Sequence, residues 1–471
     1  MSDIPYTFHR THSTEELRDS FDDQIEAGQH TEIEVSVAGR LLLRRGQGKL
    51  AFGTLHDSSG AIQLFAPGDV TPNFKEFTEL SLGDWLGVSG TLMKTRKGEL
   101  SVQVSDWVIL AKAQRQFPDK WHGLSDTDTR YRQRYVDLWV TPEARRTFIV
   151  RSRMLSLTRR WLEDRGFMEV ETPLLHPIAG GAAALPFVTH HNAVDADLYL
   201  RVAPELYLKR LIAGGFEKVF EIGRVFRNEG VSPRHNPEFT MLELYEAYTD
   251  MDAMMAICEG LIAYLAEKLL GRTVISYGGR ELDLSPPWRR ATMTDLVSEQ
   301  LGTAVSLDDV TGLNTLAKEH LDHVEPSWGP GKLLTEIYEK TTEATLWGPI
   351  FVTEYPKEVS PLSREHRSKP GLTERFESIV AGRELSNGFT ELVDPEEQRA
   401  RFEDQARQKE AGDAEAMTID EDYLRAMEYG LPPTGGIGIG IDRLVMLLTD
   451  SASIKDVVLF PTLRPEPRSQ P

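Results

Sequence analysis

Cysteine is almost absent from this 471-residue sequence, which contains only Cys258. A single cysteine excludes an intrachain disulfide framework and any cysteine-rich zinc cluster. Long apolar runs are missing as well, since no stretch approaches the roughly 20 residues that a membrane helix needs. The first residues, Met1 to Pro5, lack the basic-then-apolar pattern of a secretory signal. We therefore expect a cytoplasmic protein that has no membrane partner.

Positive charge is in deficit. The sequence has 53 Lys and Arg against 73 Asp and Glu, a formal net charge of −20, whereas a protein that binds nucleic acid over much of its surface is normally basic. The basic residues that are present form local clusters in the first third of the chain, at residues 40–45, 94–97 and 130–134. This distribution argues against general nucleic-acid binding and is compatible with a local contact.

Two common nucleotide-binding signatures are also missing. The sequence contains no G-x-x-x-x-G-K-[ST] motif, and its glycine-rich stretch, Gly435–Gly440, does not have the G-x-G-x-x-G spacing of a dinucleotide-binding fold. The stretch nevertheless leads into an apolar helix, and glycines before a helix N-terminus let a ligand approach the backbone closely. Arg443, just inside that helix, is well placed to cover one face of a stacked base.

The most informative feature that is present is the charged segment Phe226–Leu244. Its flanks, Lys218–Ile222 and Leu242–Tyr245, alternate apolar and polar residues as half-buried strands do. We predict two antiparallel strands joined by a charged loop that binds a nucleotide. Arginines can grip phosphate bidentately, and Phe239 can stack under a purine. An ion-pair network without a ligand is the alternative.

A pair of carboxylates follows later in the chain. Glu377 and Glu384 are spaced so that they share one face of a helix or lie on neighbouring parts of an extended pair. Beside phosphate-binding arginines, such a pair suits Mg²⁺, which takes carboxylate and substrate phosphate oxygens. A solvated acidic face is the alternative.

Turn residues and strand-like runs predict four segments. Residues 1–30 form an N-terminal helical extension, with a helix from about Ser13 to Gly28. Residues 31–113 form an all-β barrel of the oligonucleotide-binding kind, the OB fold, from five or so short strands. Residues 114–141 are a linker, and residues 142–471 form an α+β domain with a mainly antiparallel sheet. In the barrel, Phe52, Gln63 and Glu99 are candidates for reading unpaired bases, against the alternative of ordinary barrel core and surface.

Three of these segments, in this order, resemble the three signature motifs of class II aminoacyl-tRNA synthetases. They are the stretch ending at Pro173, the Arg227 hairpin and the glycine-rich stretch with Arg443. The sequence is most similar to the bacterial lysyl-tRNA synthetases, in a resemblance that spans about Thr31 to Pro465. Further matching segments are Phe117–Lys120, Arg130–Tyr135, Ala203–Arg210, Arg234–Thr240, Thr353–Pro356 and Asn387–Phe389. The resemblance implies the class II antiparallel sheet with flanking helices, an OB-fold barrel that binds the anticodon, and a homodimer across the Pro173 segment.

The resemblance also implies an activity. Lysine and ATP would give lysyl-adenylate and pyrophosphate, and the lysyl group would then pass to the 3′ end of tRNA(Lys), with Mg²⁺ as cofactor. Arg227 and Arg443 match the catalytic arginines, and Glu377 and Glu384 match the metal ligands. The positions that match the ATP site are Arg227, Glu229, Arg234, His235, Phe239 and Arg443. The positions that match the lysine site are Gly180, Gly181, Glu205, Glu243, Tyr245, Asn387, Phe389 and Glu391, and those that match the anticodon site are Phe52, Gln63 and Glu99.

The sequence departs from the family pattern in one place. Where the family usually has Pro-Gly-Gly-Ala-Ser-Ala-Arg-Pro-Phe, residues 179–187 read Ala-Gly-Gly-Ala-Ala-Ala-Leu-Pro-Phe. A proline, a hydroxyl group and an arginine are therefore missing beside the amino-acid pocket, while both glycines remain. We expect lysine activation to be retained, because the contact of the glycine backbone with the substrate needs no side chain.

Rival functions remain at this point. An aspartyl- or asparaginyl-tRNA synthetase shares the layout but would need basic residues where Glu205 and Glu391 stand. A paralogue that lysylates another acceptor would usually lack the barrel. A non-catalytic RNA-binding protein built on a decayed synthetase would be expected to have lost the phosphate arginines or the metal carboxylates, and all of these are present.

Overall fold

The computed structural model describes residues 4–115, 117, 124, 126–230, 232–410 and 416–466. The chain divides into two compact units, residues 1–142 and 143–471. Among the described residues, no helix has both the length and the apolar character needed to cross a bilayer.

The first unit is built around a closed five-stranded barrel with the strand order β1-β2-β3-β5-β4. The parallel pairing of β3 with β5 closes it, and alternate side chains of each strand, among them Val35, Val37, Leu64 and Val102, fill its interior. The last strand, β5, is continuous, with an irregularity where it pairs with Ser89 and Gly90 of β4. The elements are α1 (Thr14–Phe21), β1 (His30–Gln47), β2 (Leu50–His56), β3 (Ala61–Pro67), α2 (Phe74–Glu79), β4 (Trp85–Lys94), β5 (Leu100–Ala111), α3 (Thr127–Arg132) and α4 (Arg134–Val140).

The N-terminal helix begins as predicted and ends early. Ser13 caps α1 in a reciprocal capping box with Glu16, as the sequence indicates. The prediction that the helix continues to Gly28 is wrong, because α1 ends at Phe21 and a 3₁₀ turn follows over Asp22–Gln24. Further helix would place Asp22 and Asp23 near the carbonyl end, where negative charge is unfavourable.

The segment 114–141, predicted as a linker, contains the helices α3 and α4. Within α4, Arg134 Nη1 donates to Asp137 Oδ2 at 2.6 Å, and both side chains are fully buried. Residues 116, 118–123 and 125 of the predicted linker, including most of the matching segment 117–120, lie outside the described residues.

The second unit contains an eight-stranded sheet with the order β14-β15-β16-β17-β18-β11-β10-β6. Its pairings are antiparallel except at the two edges, β14 with β15 and β10 with β6, so the predicted α+β fold with a mainly antiparallel sheet is confirmed. Its helices are α5 (Pro142–Glu163), α6 (Glu205–Ala213), α7 (Met251–Leu270), α8 (Met293–Leu301), α9 (Val310–His320), α10 (Pro330–Thr341), α11 (Pro395–Glu410), α12 (Glu421–Glu428), α13 (Ile441–Thr449) and α14 (Ile454–Val457). Its strands are β6 (Met168–Glu169), β7 (Leu175–His176), β8 (Val188–His191), β9 (Ala196–Leu200), β10 (Lys218–Phe226), β11 (Glu238–Ala247), β12 (Val274–Tyr277), β13 (Arg280–Asp283), β14 (Arg289–Thr292), β15 (Ile350–Thr353), β16 (Arg375–Ile379), β17 (Glu384–Thr390) and β18 (Thr434–Gly440).

The glycine-rich stretch is a strand, although its composition suggests a loop before a helix. It forms β18, which pairs with β17 on one side and β11 on the other. Ile437 and Ile439 are buried in the core that α5, α7 and α13 form on one face of the sheet. Two neighbouring strands satisfy its backbone, and two isoleucines anchor it, so the weak strand propensity of glycine is overridden.

Candidate active site

A cavity of about 310 Å³ lies over the sheet of the second unit. Most of the positions that the sequence analysis assigns to ATP, lysine and the metal line it, and Gly180, Glu377 and Glu391 are the exceptions. The predicted lining residues are Gly181, Glu205, Arg227, Glu229, Arg234, His235, Phe239, Glu243, Tyr245, Glu384, Asn387, Phe389 and Arg443. Segments that are far apart in the sequence therefore meet in one place.

Strand alternation creates the floor of the cavity. Side chains at i and i+2 of a strand share a face, so Met241, Glu243 and Tyr245 of β11 line the cavity while Leu242 and Leu244 are buried in the core behind the sheet. On β18 the residues that line the cavity from the same face are Gly436, Gly438 and Gly440. With no side chain at these three positions, a ligand can lie directly against the strand.

At one end of the cavity, Arg227 and Phe239 form a cation–aromatic pair. The Arg227 guanidinium carbon lies 5.2 Å from the centre of the Phe239 ring, and the Arg227 N–H donates to the Pro237 carbonyl at 2.8 Å. Arg227 Nε is buried and has no hydrogen-bond partner among the described residues. A buried charged donor without a partner is costly, so this end of the cavity is suited to an anion.

Arg443 is fixed by the first residue of a neighbouring strand. Its Nη1 donates to the Glu384 carbonyl at 2.6 Å and to Glu384 Oε2 at 3.0 Å.

His235 Nδ1 lies 3.0 Å from Ser232 Oγ. Burial, followed by the charge of Arg443, lowers the pKa of His235, so this ring is neutral at pH 7 and can act as a hydrogen-bond donor or acceptor.

A buried network behind Phe239 and Arg443 was missed by the sequence analysis. Thr240 N–H donates to Asp442 Oδ2 at 2.6 Å. Arg151 of α5 donates from Nη1 to Asp442 Oδ1 at 2.5 Å and from Nη2 to Thr240 Oγ1 at 3.0 Å. Because Thr240 follows Phe239 and Asp442 precedes Arg443, the network fixes the backbone of both side chains that enclose this end of the cavity.

The two candidate metal carboxylates lie on the β16–β17 hairpin, so the extended alternative is the observed one. Glu377 pairs across the strands with Asn387, and Glu384 begins β17. Glu377 Oε1 accepts from Arg375 Nη2 at 2.6 Å. Burial, followed by the charge of Glu384, raises the pKa of Glu377. A divalent cation would relieve the repulsion between these two carboxylates. Within the described ranges, no group of three or more His, Cys, Asp or Glu is arranged to hold a metal, so other oxygen ligands would be needed.

Arg375 also orients Asn387. Arg375 Nε donates to Asn387 Oδ1 at 3.0 Å, which leaves the amide NH₂ of Asn387 as the group available to a ligand in the cavity. An isolated arginine in a strand gives no sequence signal for this role, and Arg375 was not predicted.

The other end of the cavity is acidic and largely buried. Tyr245 O–H donates to Glu243 Oε2 at 3.2 Å, and Glu205 and Phe389 complete this end. Glu243 is 5 % exposed. Burial, reinforced by the charge of Glu205, raises the pKa of Glu243 to about 8. Carboxylates and a phenol around a narrow slot are suited to an ammonium group on an apolar stem.

Glu391 lies just behind this end. It is fully buried and forms an ion pair with Lys209, whose Nζ also donates to Glu205 Oε1 at 2.6 Å. Lys209 was not predicted. The spacing of Glu205 and Lys209, four residues apart on a helix, is the signal that could have revealed it.

The segment that departs from the family pattern contacts both ends. Gly181 has φ +91°, and a Cβ there would lie 3.3 Å from Ala203 Cβ. Further along, the Leu185 carbonyl accepts a hydrogen bond from Asn228 N–H at 2.7 Å, which ties the segment to the loop that carries Arg227.

Comparison with known proteins agrees with this geometry. Residues 126–464 match the family described as tRNA synthetases class II (D, K and N), and residues 35–110 match the OB-fold nucleic acid binding domain. The chain is 53% identical over 476 residues to a lysine–tRNA ligase of Synechococcus sp. (strain CC9605), covering 98% of this chain and 94% of the relative. It is 54% identical to that of Burkholderia vietnamiensis (strain G4 / LMG 22486), covering 98% and 93%, and 52% identical to that of Nostoc punctiforme (strain ATCC 29133 / PCC 73102), covering 98% and 84%.

The chain therefore belongs to the class II tRNA synthetases, and within that class to the lysine–tRNA ligases. This confirms the resemblance, the OB-fold barrel and the prediction that the protein is an aminoacyl-tRNA synthetase. The rival functions considered from the sequence are not favoured.

Proposed function

We propose that this enzyme activates L-lysine with ATP and transfers the lysyl group to the 3′-terminal adenosine of tRNA(Lys). One observation carries the proposal: a single cavity joins an end lined by Arg227, Arg443 and Phe239 to an acidic end lined by Glu205 and Glu243. The lysine carboxylate attacks the α-phosphorus of ATP, the bond to the β-phosphate oxygen breaks, and pyrophosphate leaves with the electron pair. The carboxylate is already ionised at neutral pH, so this step needs no general base.

In the proposed ATP site, Arg227 neutralises the charge that develops on the α-phosphate. Its buried, unpartnered Nε supports this role. Phe239 and Arg443 hold the two faces of adenine, Glu229 lies near its amino group, and Arg234 and His235 meet the outer phosphates. Arg227 and Arg443 are the catalytic residues.

Mg²⁺ is the proposed cofactor, held by Glu377 and Glu384 together with phosphate oxygens of ATP. When bound, it would neutralise the charge of the phosphates. The repulsion between the two carboxylates supports this site. Arg375 and Arg443, which already pair with one carboxylate each, hold them in place.

In the proposed lysine site, the α-ammonium binds Glu205 and the backbone of Gly180 and Gly181, and the carboxylate binds the Asn387 amide. The side chain lies along Phe389, and its ε-ammonium is received by Glu243, Tyr245 and Glu391.

In the barrel, we propose that Phe52, Gln63 and Glu99 read the anticodon. Phe52 is partly exposed beside Phe65, with ring centres 5.6 Å apart. Gln63 Nε2 donates to Ser101 Oγ at 2.9 Å, and Glu99 pairs with Arg18 at the surface. An aromatic pair with an amide and a carboxylate nearby is suited to stacking on and reading unpaired bases.

We also propose a homodimer across the Pro173 segment, which is supported by four exposed apolar side chains near it, Met168, Leu174, Leu175 and Val188. The proposed location is the cytoplasm, in keeping with a single, buried cysteine. We propose that the chain has four segments with the bounds 1–30, 31–113, 114–141 and 142–471.

Lysine binding should release a proton from Glu243. Below about pH 8 this carboxyl is mostly protonated in the empty site, where Glu205, Tyr245 and the more distant Arg201 and Glu221 surround it. An incoming ammonium favours the ionised form, so lysine affinity should rise by up to about tenfold per pH unit between pH 6.5 and 8 and level off above.

Calorimetry in buffers of different ionisation enthalpy would count the released proton, and Glu243→Gln should abolish the pH dependence. An affinity that is constant or falls over this range would contradict the prediction.

The test of the proposed function is aminoacylation of total tRNA with a panel of amino acids. We expect lysine to be attached and lysine-dependent ATP–pyrophosphate exchange to occur, with Arg227→Ala as the inactive control. Absence of exchange with every cationic amino acid would overturn the proposal.

A further inference from the structure

Lys209 is an ammonium buried beside the proposed lysine site. It lies one helical turn after Glu205 on α6 and has no exposed surface. Its Nζ donates to Glu205 Oε1 at 2.6 Å, pairs with Glu391 Oε2 and lies 5.2 Å from the centre of the Phe389 ring. The chain thus supplies an ammonium of its own to two of the carboxylates proposed to bind substrate.

Both carboxylate oxygens of Glu391 are buried without a hydrogen-bond partner among the described residues. The ion pair with Lys209 is made through Oε2, and the oxygen not used in it is Oε1. It lies beside Gly436 and Tyr245, because a Cβ added at Gly436 would collide with both Glu391 Oε1 and the Tyr245 ring. Gly436 and Tyr245 line the cavity, so Glu391 Oε1 stands immediately behind the cavity wall at a point where that wall has no side chain.

The ionisation of Glu391 depends on Lys209. Burial raises the pKa of Glu391 well above its usual range even though the Lys209 ammonium opposes that rise, so a second ammonium, from the substrate, would further favour the ionised form. Burial likewise acts to lower the pKa of Lys209, but Glu205 and Glu391 together raise it. The other titratable groups that face the pair are Tyr423 of α12 and Glu243 and Tyr245 of β11, none of which brings a positive charge.

We propose that Lys209 is a specificity-determining positioning residue. It holds Glu391 by Oε2, so that Oε1 stays available, through the gap at Gly436, for the side-chain ammonium of the bound amino acid. Glu391 would then bridge two ammonium groups, one from the protein and one from the substrate. The inference rests on the proposed lysine specificity.

The test compares lysine with norleucine, which has the same four-carbon stem and lacks the ammonium. In Lys209→Met, lysine affinity should fall by about ten- to hundredfold, as for loss of a charged hydrogen bond. The inhibition constant of norleucine and the KM for ATP should stay within about twofold. Lys218→Met is the matched control, because its pair with Glu246, also at 2.6 Å, is part-exposed and outside the cavity. Equal weakening of lysine and norleucine would overturn the inference, since a merely structural role predicts it.

A second variant separates binding from folding. If Lys209 acts through Glu391, the double variant Lys209→Met/Glu391→Gln should bind lysine no more weakly than Glu391→Gln alone. It should also melt at a higher temperature than Lys209→Met, because it leaves no unpaired charge at position 391. The inference would be overturned if the double variant lost lysine affinity by the product of the losses in the two single variants. If the unaltered enzyme does not activate lysine, the proposed function fails; if it does and Lys209→Met keeps full preference for lysine over norleucine, this inference alone fails.

Discussion

Arg227→Ala should lower the rate of lysine-dependent ATP–pyrophosphate exchange by about 10²–10³-fold, the usual loss when one preorganised donor to a transition-state charge is removed. The reason lies in the position of the side chain. Its guanidinium is held against Phe239, and its buried Nε has no hydrogen-bond partner in the described part of the chain, so we expect its charge to be directed at a ligand.

The measurement is single-turnover formation of lysyl-adenylate, with the melting temperature as a check on folding. Arg159→Ala is the matched control, since this arginine pairs with Glu169 at 2.9 Å at the surface and should leave the rate unchanged. Arg227→Lys should recover only part of the loss, because an ammonium lacks the planar, bidentate geometry of a guanidinium. A rate for Arg227→Ala within about tenfold of the unaltered enzyme would show that Arg227 does not stabilise the transition state.

The site residues that could be predicted are those that stand close to other functional side chains in the sequence. Arg227 and His235 stand in a short loop between two alternating strands and Phe239 follows at the start of the second strand, a combination that a solvated surface seldom needs. Residues such as Lys209 and Arg151 carry equally important contacts, but a single basic residue on an amphipathic helix also fits a solvated face. Their partners, Glu391 and Asp442, are 182 and 291 positions away in the sequence, and only the fold brings them close.

The barrel and the sheet could be predicted because period-two alternation survives in most of their strands. The glycine-rich sequence of β18 has a weak propensity for strands, so it does not indicate that the segment is a strand. Its strand conformation is stabilised by pairing with β17 and β11 and by the burial of Ile437 and Ile439. The same holds for α3 and α4, whose polar sequence is stabilised by the buried pair of Arg134 and Asp137, a contact that composition alone does not indicate.

Gly436→Ala tests whether the absence of side chains on β18 leaves the space in which the lysine side chain binds. An ideal Cβ at this position would lie 2.5 Å from Tyr245 Cε1 and would also collide with Glu391 Oε1, so the added methyl must displace groups proposed to receive the ε-ammonium. Loss of the charged hydrogen bond that the ε-ammonium would donate to the displaced Glu391 costs about 1.5–3 kcal/mol of binding free energy, which corresponds to a rise of about ten- to hundredfold in the KM for lysine.

The KM for ATP should change little, because Arg227 and Phe239 lie at the other end of the cavity. The KM values of both substrates in pyrophosphate exchange would check this split. Gly46→Ala in β1 is the control, since a Cβ there meets nothing within 4 Å and alanine is at least as compatible with a strand as glycine. An unchanged KM for lysine in Gly436→Ala would mean that the substrate ammonium does not reach this part of the sheet, and the assignments of Glu391 and Tyr245 would then have to be abandoned.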